Sequence, residues 1–233
     1  FNLHRNYAEH YLKKGDLTNR DINHILARFD RSKTTVFDAK YADSLYEDYK
    51  NNQIKDDAAR AELKELLQDR EVLVIAPGSS IISYREAIDQ YILKNKPIII
   101  SLNFVPESYP VDFAFFSNNK RFNKTENIPC KLIVTSNLSG QKANYRLDYN
   151  SLSGAFNQGC NSLIMVLKLL KDMRVKKIVT AGADGYSVDG NNYYDSSIRS
   201  YTKHDNSFNV AVKEAIRNLD ISIDFLTPSA YKV

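Results

Sequence analysis

The sequence is short of most features that would place it outside the ordinary globular class. It has two cysteines, Cys130 and Cys160, isolated and in no C-x-x-C, which argues against a disulfide framework and against a zinc site. A reducing, cytoplasmic setting is expected. No apolar run approaches the roughly 20 residues needed to span a bilayer, so no membrane partner is expected. The opening Phe-Asn-Leu-His-Arg-Asn has no signal-peptide pattern and no initiator Met, which points to a fragment or a trimmed chain. The charge excess is only +4, from 32 basic and 28 acidic residues, and it is scattered, so no nucleic-acid partner is expected. Tryptophan is absent beside 15 Tyr and 11 Phe, an unusual balance that identifies no function. No G-x-G-x-x-G is present, so ordinary NAD binding is not indicated and no cofactor is expected. Histidine is scarce as well. His4, His10 and His24 fall early in the chain at spacings that match no ligand motif, so they are read as structural or solvent-facing, with no metal.

What is present is 233 residues, 43% hydrophobic and 26% charged, enough for one large core with or without an appendage. The stretch Glu71-Val-Leu-Val-Ile-Ala-Pro-Gly-Ser-Ser80 organises the rest. Its apolar, β-branched run fits a strand buried on both faces. Pro77 and Gly78 stop that strand, and Ser79 or Ser80 can cap a helix starting near Ser83 and Tyr84. Strand, glycine turn and helix N-terminus form a place for an anion or phosphate, or simply a turn.

Before Glu71 the apolar periodicity is helical throughout. Tyr7, Ala8, Tyr11 and Leu12 make one stripe, ended by Gly15. Thr18-Asn-Arg-Asp21 reads as a capping box with Asp for Glu, opening a helix with Ile22, Ile25, Leu26 and Phe29. Further helices are expected over Asp38–Tyr49 and Ala58–Arg70, with a polar connection between them. The run Asn6 to Ile22 and the run Phe37-Asp-Ala-Lys-Tyr-Ala-Asp-Ser-Leu-Tyr46 resemble the helical tail that follows the barrel in bacterial relatives of 4-hydroxy-2-oxovalerate aldolase and HMG-CoA lyase. That resemblance implies the C-terminal portion of such a protein, with its metal-dependent barrel in the parent chain and aldol chemistry done elsewhere.

From Glu71 onward strand-like and helix-like stretches alternate, as in a parallel sheet covered by helices. Strands are expected over Pro97–Asn103, Asp112–Ser117, Lys131–Ser136, Lys177–Gly182 and Ile221–Leu226. Helices are expected over Tyr84–Lys94, Asn161–Met173 and Phe208–Leu219. The fold expected is α/β, Rossmann-like, with a mostly parallel sheet and flanking helices, preceded by a small all-helical extension over 1–57; the α/β domain takes 58–233. Small or polar residues close several strands: Gly78-Ser-Ser80, Asn103, Ser117-Asn118, Ser136-Asn137 and Gly182-Ala-Asp184. Lying along one edge of a parallel sheet, they supply short hydrogen-bonding groups for a nucleotide or sugar.

Two further stretches matter, Ser153-Gly-Ala-Phe-Asn-Gln-Gly-Cys-Asn-Ser162 and Ala181-Gly-Ala-Asp-Gly-Tyr-Ser-Val-Asp-Gly-Asn-Asn-Tyr-Tyr-Asp195. The first enters a helix. In the second, Asp184 could hold a ribose hydroxyl or simply organise the turn. With Pro77-Gly-Ser-Ser and His204, these stretches resemble the CMP-sialic-acid-dependent sialyltransferases of bacterial surface-glycan synthesis and their flagellin-glycosylation relatives. The resemblance implies nucleotide contacts at Ser79, Ser80, Ser153 and Gly154. It also implies tyrosines near the phosphate at Tyr186 and Tyr193 or Tyr194, and His204 as base. This chain departs from that family in having Ala-Pro-Gly-Ser-Ser at the first turn and a slightly different tyrosine spacing. His204 is the one histidine of the α/β body, suited to deprotonating a hydroxyl near neutral pH, though a helix-start histidine is also a common structural feature.

The function expected is therefore a nucleotide- or nucleotide-sugar-binding domain without an aldolase site of its own, serving surface-polysaccharide synthesis. The alternatives are a sialyltransferase-type glycosyltransferase and a non-catalytic assembly domain, with self-association left open. The turns at Gly78–Ser80, Ser153–Gly159 and Asp184–Tyr194 are expected to converge on one cleft, with His204 at its rim.

Overall fold

The computed structural model describes residues 2–30, 33–123, 125, 128–138, 143–153, 161–187, 192–195 and 206–232. Three helices come first: α1 (Asn2–Leu12), α2 (Asn19–Leu26) and α3 (Ala39–Asn51). Thr18 and Asp21 form the expected capping box at α2, each side chain receiving the other residue's backbone N–H. Asp38 caps α3 by accepting from Lys40 N and Tyr41 N. The helices share a core of Tyr7, Tyr11, Ile22, Ile25, Ala42, Leu45 and Tyr49. Its tyrosines bury their rings and place their hydroxyls on neighbours. Tyr11 donates to Ala42 O at 2.9 Å, and Tyr49 donates to Asp21 Oδ1 at 2.7 Å.

Next come α4 (Asp57–Leu67), β1 (Glu71–Ile75), α5 (Ser80–Ser83), α6 (Arg85–Asn95), β2 (Ile98–Leu102) and β3 (Phe113–Phe116). They are followed by α7 (Asn119–Phe122), β4 (Lys131–Thr135), β5 (Tyr145–Leu147), α8 (Tyr149–Leu152) and α9 (Ser162–Met173). The chain ends with β6 (Lys177–Ala181), α10 (Asn206–Asn218) and β7 (Ile223–Phe225). The seven described strands form one sheet in the order β5-β4-β3-β2-β1-β6-β7, every pair parallel. The protein is thus an α/β, Rossmann-like fold.

Alternation within β1 shows how the sheet is covered. Val72 and Val74 join a large core under α4, α8, α9 and α10, while Leu73 and Ile75 join a second core under α5 and α6. The chain runs outward from β1 to β5, then returns to place β6 on the other side of β1. The helices after β1 cover one face and the helix after β6 covers the other. The strand order therefore reverses between these two neighbours, and a crevice opens beyond their carboxyl ends.

Three local expectations are corrected. The strand β5 has no counterpart among those expected, because Tyr-Arg-Leu is three residues with a charge at its centre. The helix expected near Ser83 is preceded by a separate single turn, α5, and α6 begins at Arg85. The last strand is shorter than expected, at Ile223–Phe225.

The extension docks on the carboxyl end of β4. Arg28, 4% exposed, is held on three sides. Its Nε meets Asp48 Oδ2 at 3.0 Å, Nη1 donates to His24 O at 3.0 Å, and Nη2 donates to Ser136 O at 2.7 Å. His24 is fully buried, stacked on Tyr149 at 4.9 Å and edge-on to Tyr49 at 5.1 Å, with Nε2 3.2 Å from Ser136 Oγ. Asn137 Nδ2 donates to Ser117 O at 2.9 Å and to Ala27 O at 3.4 Å.

Candidate functional site

Glycine shapes the crevice by letting two loops touch. The turns after β1 and β6 are joined through Ala76 N to Ala181 O at 2.8 Å and Gly78 N to Gly182 O at 2.9 Å. A Cβ on Gly78 would lie 2.2 Å from Gly182 O, and one on Gly182 would lie 2.1 Å from Ala76 O, with Gly182 at φ +72°. Close backbone approach excludes any side chain at either position.

Ser79 and Ser80 turn toward Asp184 rather than capping a helix. The Asp184 carboxylate accepts from Ser80 N at 2.8 Å, from the Ser80 hydroxyl, and from Ser79 Oγ at 3.4 Å. No side-chain cap bond is made at Ser79. Asp184 therefore organises the β1 turn from the β6 side, one of its two expected roles. The tail strengthens the same loop: Thr227 Oγ1 accepts from Gly182 N at 2.9 Å, and Ala230 N donates to Asp184 O at 2.8 Å.

On the β2 side, Asn103 sits at φ +57° and acts as a bracket. Its Oδ1 accepts from Ser117 N at 2.9 Å and Asn118 N at 3.2 Å, and its Nδ2 donates to Ser162 Oγ. Ser117 Oγ also meets Ser162 Oγ, at 2.9 Å. Asn118 caps α7 by accepting from Arg121 N at 3.1 Å, and Asn161 caps α9 by accepting from Leu163 N at 2.9 Å. These polar strand ends are thus bound mostly to one another.

Between these two frames lies a cavity of about 300 Å³. Gly78, Asn103, Asn118 and Asp184 line it, with Asn161 and Ser162 from the start of α9. Its aromatic wall is Tyr186, Tyr193, Phe208 and Tyr231. Tyr186 is fixed by Asn209 of α10, which accepts from Tyr186 N at 2.9 Å and donates to Tyr186 O at 2.7 Å. The Tyr186 ring meets Phe208 edge-on at 5.1 Å, and its hydroxyl is 3.5 Å from that of Tyr193. Desolvation, then the neighbouring Tyr193, pushes the Tyr186 phenol far above its usual range; burial does the same to Tyr231. Both act as neutral groups.

Arg121, on α7, completes the lining. Its guanidinium lies over the Tyr193 ring at 4.6 Å, and its buried Nη1 has no hydrogen-bond partner. The sequence places Ser117 and Asn118 at this strand end but gives no signal for Arg121, three residues further on. Asn161 and Ser162 end the stretch singled out above without being named as site residues, and Phe208 and Tyr231 carry no such signal.

Of the residues expected at the site, Gly78, Asn103, Asn118, Asp184, Tyr186 and Tyr193 line one crevice. Ser79, Ser80 and Ser117 stand behind that lining as supports. Tyr194 packs its ring on Phe104 at 5.2 Å within the second core. Ser153 lies on the extension's side, its carbonyl accepting from Arg20 Nη2 at 3.4 Å. Gly154 and His204 lie outside the described residues. Among the described residues, no group of three or more His, Cys, Asp or Glu side chains could hold a metal ion. No described helix is long and apolar enough to cross a membrane. Compared with family models, curated proteins and solved structures, the chain gives no match.

Proposed function

We propose that the α/β body binds a nucleotide or nucleotide-sugar in the crevice beyond β1 and β6. It would do so as the C-terminal domain of an aldolase-like protein acting in surface-polysaccharide synthesis. The observation that carries the reading is the crevice itself. It opens where the strand order reverses, has the volume of a small ligand, and combines amide and hydroxyl groups with an aromatic wall. An aromatic wall beside hydrogen-bonding amide and hydroxyl groups suits a base and a sugar. The positive end of α9 opens into the same space and favours an anionic group there.

A panel of cytidine and uridine nucleotides and their sugar conjugates tests this by thermal shift. A ligand at 100 times its Kd should stabilise the fold by about 2.7 kcal/mol. Hydrogen exchange should slow at 182–187 and around Asn161 and Ser162. If no member of the panel shifts the melting temperature, the assembly-domain reading replaces this one. The transferase reading draws its support from Tyr186 and Tyr193 standing together in the crevice. It requires that His204→Ala abolish turnover of a CMP-sugar while leaving its binding intact.

A further inference from the structure

We infer that Arg121 is the anion-recognising residue of the crevice, taking a phosphoryl oxygen of the ligand through the guanidinium it presents to the lining. The inference rests on the ligand-binding reading above and names the group that would decide what is bound. Among the described residues, the acidic and basic side chains that line the crevice are Asp184 and Arg121. Asp184 is engaged on both oxygens by Ser79 and Ser80. Arg121 is not balanced in this way: among the described residues it forms no ion pair, and Nη1 is shut off from solvent without an acceptor.

A buried guanidinium N–H with no acceptor costs stability. The arrangement around Arg121 nevertheless holds it in place. The Tyr193 ring lies 4.6 Å from the guanidinium, and Asn118 fixes the backbone of its turn. The phenols of Tyr186 and Tyr194 both feel its positive charge. The crevice's cation is therefore held at a fixed place with a donor unsatisfied, in a cavity that the start of α9 also lines. A guanidinium offers two parallel N–H groups at a spacing that fits phosphate oxygens, and these bonds are stronger than neutral ones. A phosphoryl group on a nucleotide and a free pyrophosphate share this chemistry.

The test uses the whole chain, as wild type, Arg121→Gln and Arg121→Lys, titrated with CMP, cytidine and pyrophosphate. The wild type should bind CMP more tightly than cytidine. Arg121→Gln should lose roughly tenfold to hundredfold in affinity for CMP and pyrophosphate. Its affinity for cytidine should stay within about twofold, because no charged contact is lost there. Arg121→Lys keeps the charge without the planar fork, and should fall between the two. The ligand-free melting temperature of Arg121→Gln should change little, since loss of the Tyr193 ring contact is offset by removal of an unpaired buried donor; a merely structural arginine would lower it clearly. If CMP binds equally well to wild type and Arg121→Gln, the assignment of Arg121 fails while the nucleotide reading stands. If pyrophosphate binds through Arg121 but no nucleotide does, the assignment stands and the nucleotide reading fails. If nothing binds, both fail.

Discussion

Two arginines sit at the carboxyl edge of the same sheet and meet opposite fates. Arg28, in the seam between the extension and β4, is matched on Nε, Nη1 and Nη2 by a carboxylate and two carbonyls. Arg121, in the crevice beyond β1 and β6, has an aromatic ring beneath it and a buried donor with no acceptor. Both regions are built from small polar residues at strand ends, so composition does not separate them. What separates the two arginines is whether the protein satisfies the guanidinium. Where polar groups are satisfied, as at Arg28, Asn103 and Asp184, they hold elements together. At Arg121 a buried donor is left over, and the proposed anion site draws on that difference.

The sharpest test of this contrast is the same substitution at both arginines. Arg28→Met removes a cation whose loss leaves two buried carbonyls without their donor, while Asp48 keeps its bond from Asn52 Nδ2. Asp48 is also partly solvated, so the cost should be about 3 kcal/mol. Arg121→Met removes a guanidinium with no described hydrogen bond or ion pair and keeps an apolar contact with Tyr193, and should change stability by no more than about 0.5 kcal/mol. Urea denaturation midpoints of the two variants measure both. Equal losses would mean that Arg121 is structural too, and the contrast between seam and crevice would be lost.

The sequence revealed the sheet wherever strands were continuous apolar runs, as at Glu71–Ile75 and Lys177–Ala181. It failed at Tyr145–Leu147, where pairing with β4 rather than local pattern decides the strand. The edge that carries the crevice was legible from Gly78, Asn103, Asn118 and Asp184. What those residues do was not legible, because their partners lie far away in the chain. Ser80 meets Asp184 across 104 positions, and Asn103 meets Ser162 across 59. The seam was hidden for the same reason. His24 lies between Ile22 and Ile25 on the buried side of α2, but nothing local shows that Tyr149 and Ser136 will enclose it.

A smaller effect separates support from contact within the crevice itself. A carboxylate at Ser80 could repel a phosphate, but Ser80 is hydrogen-bonded to Asp184 and does not line the cavity. Ser80→Asp therefore sets two carboxylates against each other in a largely buried place. One must be protonated or displaced, at a cost of about 2 kcal/mol near neutral pH. Adding Asp184→Asn should recover most of that loss, a coupling that a double-mutant cycle measures directly. If Ser80→Asp leaves the melting temperature unchanged yet removes a nucleotide shift, Ser80 is a ligand contact and its bond to Asp184 is incidental.

The smallest effect is a pH response confined to the seam. His24 is fully buried between Tyr49 and Tyr149, with Ser136 on Nε2 and no partner on Nδ1. Desolvation, reinforced by the neighbouring Arg28 charge and opposed by Asp21, lowers its pKa from 6.5 to about 3. The native state thus keeps the imidazole neutral, while the unfolded chain protonates it below pH 6.5. Because the unfolded state binds the extra proton, stability falls as pH drops through 6.5 and goes on falling until the folded-state value is reached. The loss is full below that value and absent above neutrality. Between pH 7 and 5.5 it should amount to just over about 1 kcal/mol, since one pH unit is worth about 1.4 kcal/mol per proton. His24→Gln removes this titration, so its stability over the same range should vary less than the wild type's by that amount. A matching pH response in the variant would place the titrating group elsewhere. A His24 ring signal in NMR that titrates near 6.5 in the folded protein would show instead that water reaches the seam.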